Sequence, residues 1–432
     1  MPTITGFRTV DVRFPTSRGL HGSDAMNQDP DYSAAYLILD TDDQNLSGHS
    51  LVFTIGRGND LQCKAIELLA NAAVGQDIAQ LSHSMGDFAR SLVRDSQMRW
   101  LGPEKGLVHM ATGAVINAVW DAISKWQGKP LWKTLADMSP LELVDLVDFR
   151  YLTDALTPEE ALEILERAAM TKAKNEAAML SKGVPAYTTT PGWLGYTDAE
   201  MVRLAKEAVS QGFGMIKLKC GVSLEDDIRR LLLIRKTVGP NIKVAVDANQ
   251  VWDVPDAIAW LKALGDVDLH WVEEPTSPDD ILGHAAIARA ISPIRVATGE
   301  HVANRVMFKQ MMQAGSLSFV QLDASRVAGV NENVAILLLA AKFGLPVCPH
   351  AGGVGLCEMV QHLAMFDVVA VGGVHSERIV EFVDHLHEHF VVPTKIRHGS
   401  YLPPLEAGAG AEMLEVSVAQ YTFPTGPAWK TS

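Results

Sequence analysis

The sequence predicts an α/β fold in which a closed parallel (β/α) barrel of the TIM type follows a smaller α+β domain. From about Val184 onward, short runs rich in β-branched residues alternate with helical patterns, which is typical of βαβ units. Most of these runs end in a charged or titratable residue, at steps of 23 to 31 residues. The first 140 or so residues follow a different rhythm, which indicates a separate domain.

Eight runs are predicted to be the barrel strands. They are 184–190, 215–220, 243–249, 269–275, 294–300, 319–324, 346–351 and 378–383. Between them, Thr197 with Glu200 predicts a capping box at the start of one helix, and Ser223 predicts the start of the next. Gly212 and Gly239 are expected just past the ends of these two helices.

The first domain contains a strand-like opening and two alternating runs, 34–39 and 51–55, followed by helical stretches such as 65–73 and 108–126. A polar helical segment, 158–182, leads into the barrel.

These patterns divide the chain into three parts. We expect the α+β domain over residues 1–145, the barrel over 146–399, and a C-terminal segment, 400–432, that packs back on the first domain.

Composition and charge narrow the function. The chain has 432 residues, 47% of them hydrophobic, which is enough for two cores. Its 37 basic and 51 acidic residues give a net charge of −14, which disfavours nucleic acid and anionic membranes as partners. No signal-peptide-like run and no stretch of about 18 apolar residues is present, so we expect a soluble cytoplasmic protein that acts on a small molecule. The four cysteines form no CxxC pair and are expected to be reduced, buried thiols.

Two lysines share one face of the predicted strand 215–220. Lys217 and Lys219 alternate with Ile216 and Leu218, so the lysines face one way and the apolar pair faces the other. If the apolar pair meets the outer helices, both ammonium groups lie at the barrel mouth, where their burial requires partners. An exposed edge strand with solvated lysines is the alternative that this pattern alone leaves open.

The predicted strands that follow carry further titratable residues near their ends. They are Asp247, Glu273, Glu300, Asp323, His350 and Glu381. Each step between neighbours has about the length of one strand, one helix and a return. The carboxyl ends of consecutive barrel strands meet at one mouth, where barrel active sites are built. We therefore expect these side chains to converge.

Three of the carboxylates predict a metal site. Asp247, Glu273 and Glu300 would repel one another without a cation, and an all-oxygen set favours a hard ion such as Mg²⁺. Each of them alone fits a structural role, such as capping the next helix, about equally well. In the Glu-Glu doublet, strand parity favours Glu273 over Glu274 as the inward residue, because Glu273 shares a face with Trp271.

Lysine and histidine supply candidate acid–base groups. Lys219 can act as a base only if its pKa is lowered, which Lys217 and a nearby divalent ion would both favour. His350 lies on the predicted strand after Asp323, so Asp323 can orient its ring for proton transfer. A lone histidine is more often structural, and it is the alignment of the strand ends that favours catalysis here.

The strand ends carry, in order, the motifs KLK, DAN, EEP, TGE, LDAS and PHAGGVGL. In this order they resemble the mandelate racemase branch of the enolase superfamily, which uses a Lys or His base with Mg²⁺. Other segments are similar to those of L-fuconate dehydratases: HGSDAMNQDPDYSAAY, RWLGPEKG, YTTTPGWLGY, DANQVWDVPDA, EEPTSPDDILGHA and EFVDHLHEHF. The resemblance covers nearly the whole chain and implies a modified (β/α)7β barrel with an α+β capping domain.

The resemblance also implies a role for each residue. Asp247, Glu273 and Glu300 would bind one Mg²⁺, and Lys219 would remove the proton α to the substrate carboxylate. His350, oriented by Asp323, would protonate the departing 3-hydroxyl. Lys217 and Asn249 would contact the substrate. Glu381 would hydrogen-bond the substrate carboxylate, which requires Glu381 to be protonated or to share a proton.

The first domain would act as a lid that contributes to substrate choice. Its loop, with Gly22, Ser23, Asp24 and Tyr32, would cover the barrel mouth and meet the distal hydroxyls of the substrate. Composition alone is equally consistent with a polar surface turn, so this assignment follows from the resemblance.

Two other features are expected to have structural roles. His385, His387 and His389 alternate after the last predicted strand and are not expected to bind a metal ion. Gly352 and Gly353 lack the Lys-Ser/Thr pair of a phosphate-binding loop, so they are expected to form a turn that allows close approach after His350.

The predicted function is that of a carbon–oxygen lyase. It would dehydrate a six-carbon aldonic acid, foremost L-fuconate, to a 2-keto-3-deoxy acid, and it would assemble as a homo-oligomer. One alternative is an epimerase or racemase of a 2-hydroxy acid, since Lys219 and His350 could exchange the α proton without expelling a hydroxyl. Another alternative is a non-catalytic binding protein on a retained barrel.

Overall fold

The computed structural model describes residues 1–373 and 377–430. Its first part holds a three-stranded antiparallel sheet in the order β1-β2-β3. The elements of this part are β1 (Ile4–Arg13), β2 (Ser33–Thr41), β3 (Ser47–Thr54), α1 (Asn59–Ala70), α2 (Ile78–Ser82), α3 (Met85–Val93), α4 (Ser96–Leu101), α5 (Gly106–Trp126), α6 (Leu131–Ala136), α7 (Pro140–Asp145), α8 (Pro158–Ala169) and α9 (Lys172–Lys182). The predicted polar helical segment is therefore two helices, α8 and α9.

The second part is a parallel barrel in which strands and helices alternate. Its elements are β4 (Val184–Thr188), α10 (Asp198–Ser210), β5 (Met215–Lys219), α11 (Leu224–Val238), β6 (Lys243–Asp247), α12 (Val254–Ala263), β7 (Leu269–Glu273), α13 (Ile281–Ala290), β8 (Arg295–Thr298), α14 (Arg305–Ala314), β9 (Phe319–Val320), α15 (Gly329–Phe343), α16 (Leu356–Ala370) and β10 (Val380–Phe382). Strands β4 to β9 pair in sequence order, and β10 pairs with β4. This confirms the predicted capped barrel fold.

The predicted strand at 346–351 is wrong as a regular strand. Only Val347 forms a bridge, to β9. Proline at 346 and at 349 removes two backbone N–H donors, which explains the broken ladder. The segment still closes the ring, because the His350 N–H donates to Leu322 O (3.0 Å) and the Glu381 N–H to Pro349 O (3.1 Å).

The helix starts follow the sequence signals in part. Ser223 caps α11 as predicted, by accepting from the Asp226 N–H. Thr197 accepts from the Glu200 N–H at the start of α10, but the Glu200 carboxylate pairs with Arg203 instead of completing the capping box.

Helix α5 forms the centre of the first part. By length and composition it could cross a membrane, but 78% of its apolar window is buried inside the protein. It packs closely on β3, where a Cβ on Gly48 would meet Ala118 O at 2.2 Å. This burial is typical of a core helix. All four cysteines are buried free thiols, as expected.

A buried charge cluster joins the first part to the barrel helices. We call it the Arg305 cluster, and its members are Glu104, His109, Asp148, Arg305 and Glu332. The Arg305 Nη1 lies 2.7 Å from Glu104 Oε2 and 3.2 Å from Glu332 Oε1. The other Glu332 oxygen lies 2.6 Å from His109 Nε2 and accepts from the Ala328 N–H at 2.7 Å.

The chain after the barrel returns to the first part. It contains β11 (Ile396–Arg397), β12 (Ser400–Tyr401) and α17 (Glu415–Tyr421), with β12 antiparallel to β4. The Ala409 N–H donates to Asp121 Oδ1 (2.6 Å), and the Met413 N–H donates to the Tyr36 hydroxyl (3.0 Å). The division of the chain at residues 145 and 399 stays a prediction.

Candidate active site

A cavity of about 240 Å³ lies over the carboxyl ends of the barrel strands, beneath the loop that connects β1 to β2. Residues from both parts of the chain form its wall. They are Gly22, Asp24, Asn27, Pro30, Tyr32, Phe53, Thr54, Ile55, Arg57, Met110, Thr189, Trp193, Lys219, Asn249, Glu300, His301, Arg326, His350, Gly352, Glu381 and Val383. Beneath it, inside the barrel, lies an apolar layer that includes Tyr187, Trp271 and Phe319.

The three predicted metal ligands come together. Asp247 ends β6, Glu273 ends β7, and Glu300 follows β8. One oxygen of each lies within 4.8 Å of the others. Gly299 makes the approach possible, because its backbone φ is +154° and a Cβ there would meet Gln321 O at 2.3 Å.

The donor set fits a hard divalent cation. All three ligands are carboxylates, and all three are buried. Glu300 Oε2 is buried without a hydrogen-bond partner. Burial, only partly opposed by Lys217 and reinforced by the neighbouring carboxylates, raises the pKa of Glu273 to about 8. The triad therefore carries more negative charge than the neighbouring side chains neutralise, and it can hold one metal ion.

Lys217 lies beneath the cavity wall. Its ammonium contacts the Glu273 carboxylate and lies 3.0 Å from Glu381 Oε1 and 3.4 Å from Asp247 Oδ2. The side chain is fully buried. Lys217 does not line the cavity, so its expected direct contact with substrate stays a prediction, and its observed contacts are with these carboxylates.

Lys219 lines the cavity, with its Nζ 2.7 Å from Asp247 Oδ2. The expected lowering of the Lys219 pKa by Lys217 and a divalent ion stays a prediction, since the groups of the chain alone have the opposite net effect. Burial and Lys217 lower the pKa of Lys219, but the Asp247 carboxylate, with help from Asp24 and Glu300, outweighs them and raises it. These groups therefore hold Lys219 in its charged form.

His350 and Asp323 form the predicted pair, with Nδ1 2.7 Å from Asp323 Oδ2. The other oxygen of Asp323 accepts from the backbone N–H groups of Ser325 and Arg326, which fixes the carboxylate. His350 Nε2 points to Glu300 Oε2 at 3.2 Å. Burial lowers the pKa of His350, but Glu300 and Asp323 outweigh it and raise it to about 9. A raised pKa favours the protonated ring that a general acid requires, while the Gly352 N–H, 3.2 Å from Nε2, is placed to donate to the neutral ring.

Glu381 lies at the end of β10, opposite the triad, and lines the cavity. Its carboxylate accepts from the Thr189 hydroxyl and from the Ala351 N–H. Burial raises the pKa of Glu381, but Lys217 and His350 outweigh it and hold it well below its usual range. Of the two expected forms of Glu381, protonated or sharing a proton, these contacts favour the second, because the Lys217 ammonium lies 3.0 Å from its carboxylate.

Sequence reasoning missed a second pair beside Glu300. His301 Nδ1 lies 2.9 Å from Glu274 Oε1 and 3.2 Å from Glu300 Oε1. Strand parity predicts the Glu274 side chain on the outer face. Its left-handed backbone (φ +42°) breaks the strand alternation, so its side chain, like that of Glu273, turns to the barrel mouth. Gln250 donates to both oxygens of Glu274 at 3.0 Å. The Glu-Glu doublet and the histidine directly after Glu300 were the available signals.

The lid residues are placed as expected with one exception. Gly22, Asp24 and Tyr32 line the cavity. The Ser23 hydroxyl instead donates to Gln28 O at 2.8 Å and does not line the cavity, so its substrate contact stays a prediction. Asp24 Oδ1 accepts from the N–H groups of Met26 and Asn27, which shapes the loop.

The three alternating histidines have three separate environments. His385 packs among the rings of His21, Tyr32 and Trp193, with neither ring nitrogen hydrogen-bonded. His387 contacts Glu358, and His389 contacts Ser417.

The glycines after His350 allow the predicted close approach. A Cβ on Gly353 would meet the Phe53 ring at 2.7 Å.

Comparison with known proteins agrees with this architecture. A family model described as "Enolase C-terminal domain-like" matches residues 200–417. L-galactonate dehydratase of Hypocrea jecorina is 51% identical over 100% of this chain and 96% of its own length. The crystal structure of human mitochondrial enolase superfamily member 1 superposes with a TM-score of 0.97, at 49% identity over 99% of this chain and 98% of that one.

A more distant neighbour shares the fold. L-talarate dehydratase from Polaromonas sp. JS666, solved with Mg and L-glucarate, superposes with a TM-score of 0.71 at 24% identity, over 98% of each chain.

Proposed function

The chain belongs to the enolase superfamily, and on that premise we propose that it is an acid-sugar dehydratase that acts with one Mg²⁺ ion. One observation carries the proposal: Lys219 and His350 flank the carboxylate triad at its two ends. Lys219 Nζ lies beside Asp247, and His350 Nε2 lies beside Glu300. A substrate bound between them meets a candidate base on one side and a candidate acid on the other.

The reaction divides between these two side chains. The lysine amine takes the proton from the carbon α to the substrate carboxylate. His350 then gives the Nε2 proton to the 3-hydroxyl, which leaves as water, while Asp323 stabilises the ring through Nδ1. The resulting enol tautomerises to a 2-keto-3-deoxy acid. A Mg²⁺ ion held by Asp247, Glu273 and Glu300 would supply positive charge beside the substrate carboxylate and Lys219, which favours the neutral amine and the developing anion.

For the substrate we propose a six-carbon aldonate, with L-fuconate as the first candidate. The loop segments that resemble L-fuconate dehydratases support it, and so does the relative named for L-galactonate, another six-carbon aldonate. Asp24 and Tyr32 offer a carboxylate and a phenol to the distal hydroxyls at the lid side of the cavity. Cytoplasmic location and homo-oligomeric assembly stay predictions.

The test is a screen of the purified protein with Mg²⁺ against mono- and diacid sugars, with semicarbazide detection of 2-keto-3-deoxy products. We expect turnover of L-fuconate that Lys219→Ala and His350→Asn abolish, whereas Lys236→Ala, at an exposed lysine of α11, leaves it intact. Reactions in D₂O identify the rival activity, since an epimerase returns labelled substrate without a keto acid. If no acid sugar gave a keto product, the dehydratase proposal would be refuted.

A further inference from the structure

We propose that His301 and Glu274 are positioning residues that hold the Glu300 carboxylate in its metal-binding orientation. The inference rests on the metal site of the proposed function, but not on the identity of its substrate. In the proposed reaction, the triad binds the metal ion and the Lys219–His350 pair transfers protons. His301 and Glu274 have neither role.

The geometry gives each oxygen of Glu300 a different neighbour. Oε1 lies 3.2 Å from His301 Nδ1, and Oε2 lies 3.2 Å from His350 Nε2. Oε2 has no hydrogen-bond partner and is buried. His301 therefore lies beside one oxygen and leaves the other without a hydrogen bond. A carboxylate held at only one oxygen cannot rotate freely, which pre-arranges the remaining oxygen for a cation.

Glu274 in turn fixes His301. Its Oε1 lies 2.9 Å from His301 Nδ1, so one ring nitrogen sits between two carboxylates. Glu274 is almost fully buried, whereas the His301 side chain is 37% exposed at the cavity. The buried Glu274 carboxylate thus fixes the position of the His301 ring, and the ring in turn fixes the Glu300 carboxylate.

The backbone supports the anchor at a cost in strain. Gln250 and Glu274 both adopt positive φ, +67° and +42°. Their chains are joined because the Gln250 N–H donates to Glu274 O at 2.8 Å, and the Gln250 side chain donates to the Glu274 carboxylate. Left-handed backbone at residues other than glycine is strained, and it persists where the surrounding contacts hold it in place. The strain is located at the ends of β6 and β7, the strands that present Asp247 and Glu273.

A second interpretation of the same residues is a second metal site, because ligand atoms of Glu274, Glu300 and His301 also lie within 4.8 Å of one another. The positions of the atoms favour the positioning role. His301 Nδ1, the nitrogen that would ligate, lies at hydrogen-bond distance from the Glu274 carboxylate. The stoichiometry of metal binding separates the two interpretations.

The experiment measures Mn²⁺ binding to the purified protein without substrate, by electron paramagnetic resonance and calorimetry. His301→Leu removes the Nδ1 that lies 3.2 Å from Glu300 Oε1, and His301→Gln keeps a donor without a ring. We expect His301→Leu to raise the Kd for Mn²⁺ about 10- to 100-fold and His301→Gln to recover most of the loss. His83→Gln, at an exposed histidine after α2, is the matched control and should leave the Kd unchanged.

A double-mutant cycle tests the chain of contacts. Glu274→Ala should weaken Mn²⁺ binding to a similar degree, and the double variant with His301→Leu should be little worse than either single variant, because both act through Glu300. Circular dichroism shows that each variant is folded.

Two results overturn the inference. One is an unchanged or lower Kd in both His301→Leu and Glu274→Ala. The other is a wild-type stoichiometry of two Mn²⁺ ions that falls to one in these variants, since that makes His301 a ligand. Failure to turn over any acid sugar would refute the proposed reaction and leave this readout standing, because no substrate is present.

Discussion

The Arg305 cluster and the barrel mouth are both buried groups of charged side chains, and they are balanced in opposite ways. In the Arg305 cluster, both oxygens of Glu332 accept hydrogen bonds from backbone N–H groups and face Arg305 or His109. At the barrel mouth, carboxylates outnumber the cations that face them, and Glu300 Oε2 has no hydrogen-bond partner.

One carboxylate in each group illustrates this difference through its pKa, while at the mouth burial raises the pKa of Glu300 but His350, His301 and Lys219 outweigh it and lower it. Burial raises the pKa of Glu332, but His109 and Arg305 outweigh it and lower it to about 2. The pKa of Glu273 instead rises to about 8, because burial and the neighbouring carboxylates exceed the effect of Lys217. A buried charge without its complement destabilises the fold. The contrast teaches that unmatched negative charge, rather than buried charge as such, identifies the functional site.

The largest expected effect is on the chemical step. Lys219→Met should lower kcat by about 10²- to 10⁴-fold, because it removes the candidate base while the apolar side chain occupies similar space. The free energy of unfolding in the absence of metal should change far less. Steady-state kinetics with the screened acid sugar and urea denaturation measure the two quantities. If the variant kept a tenth of the wild-type kcat, Lys219 would not be the base of the reaction.

The next largest effect belongs to the balanced cluster. Arg305→Met removes a buried cation from Glu104 and Glu332, which keep only Arg99, Arg150 and His109 beside them, so the free energy of unfolding should fall by about 3 kcal/mol. Turnover per folded molecule should stay near the wild-type value, since the Arg305 side chain does not line the cavity. Urea unfolding with an activity assay on the folded fraction tests both statements. Equal losses of stability and kcat would show that the two clusters are not independent.

The balanced cluster should also contribute to acid stability. A carboxylate whose folded-state pKa is lowered stabilises the fold above its unfolded pKa, and the contribution is lost as the pH falls through the folded value. For Glu332 this window runs from about 4.5 down to about 2, and the contribution is about 3 kcal/mol. The unfolding free energy of the wild type should thus fall more steeply across this range than that of Glu332→Gln. Parallel curves would refute the assignment.

The smallest expected effect is the stabilisation by Mg²⁺, which should depend on the barrel mouth and not on the Arg305 cluster. At 100 times the Kd, Mg²⁺ should stabilise the wild type by about 2.7 kcal/mol through mass action. Glu332→Gln should keep this increment, whereas Asp247→Asn should lose it. Thermal unfolding with and without Mg²⁺ gives the comparison. An increment that survived Asp247→Asn would place the ion elsewhere.

The barrel mouth was predictable because its residues follow a regular spacing. Asp247, Glu273, His350 and Glu381 each occupy the end of a strand or strand-like segment, and one spacing rule brings them together. The Arg305 cluster was not predictable, because Glu104, His109 and Asp148 come from loops and helices without any periodic relation to α14 and α15.

Local backbone accounts for the other misses. Parity assigned Glu274 to the outer face because it assumes an extended chain, and a single left-handed residue reverses that assignment. Prolines at 346 and 349 prevented a regular strand where the pattern was otherwise right. The position of the Ser23 hydroxyl could not be predicted from the sequence, because loop hydrogen bonds, rather than any repeat, determine where it points.

The returning chain has a consequence for biosynthesis. Asp121 receives its hydrogen bond from a residue 288 positions later, and Tyr36 from one 377 positions later. The first domain leaves the ribosome early, but these partners are added only after the last barrel strand has been made. Completion of the lid therefore follows synthesis of the last barrel strand, and the cavity is closed over a barrel whose strands have all been synthesised.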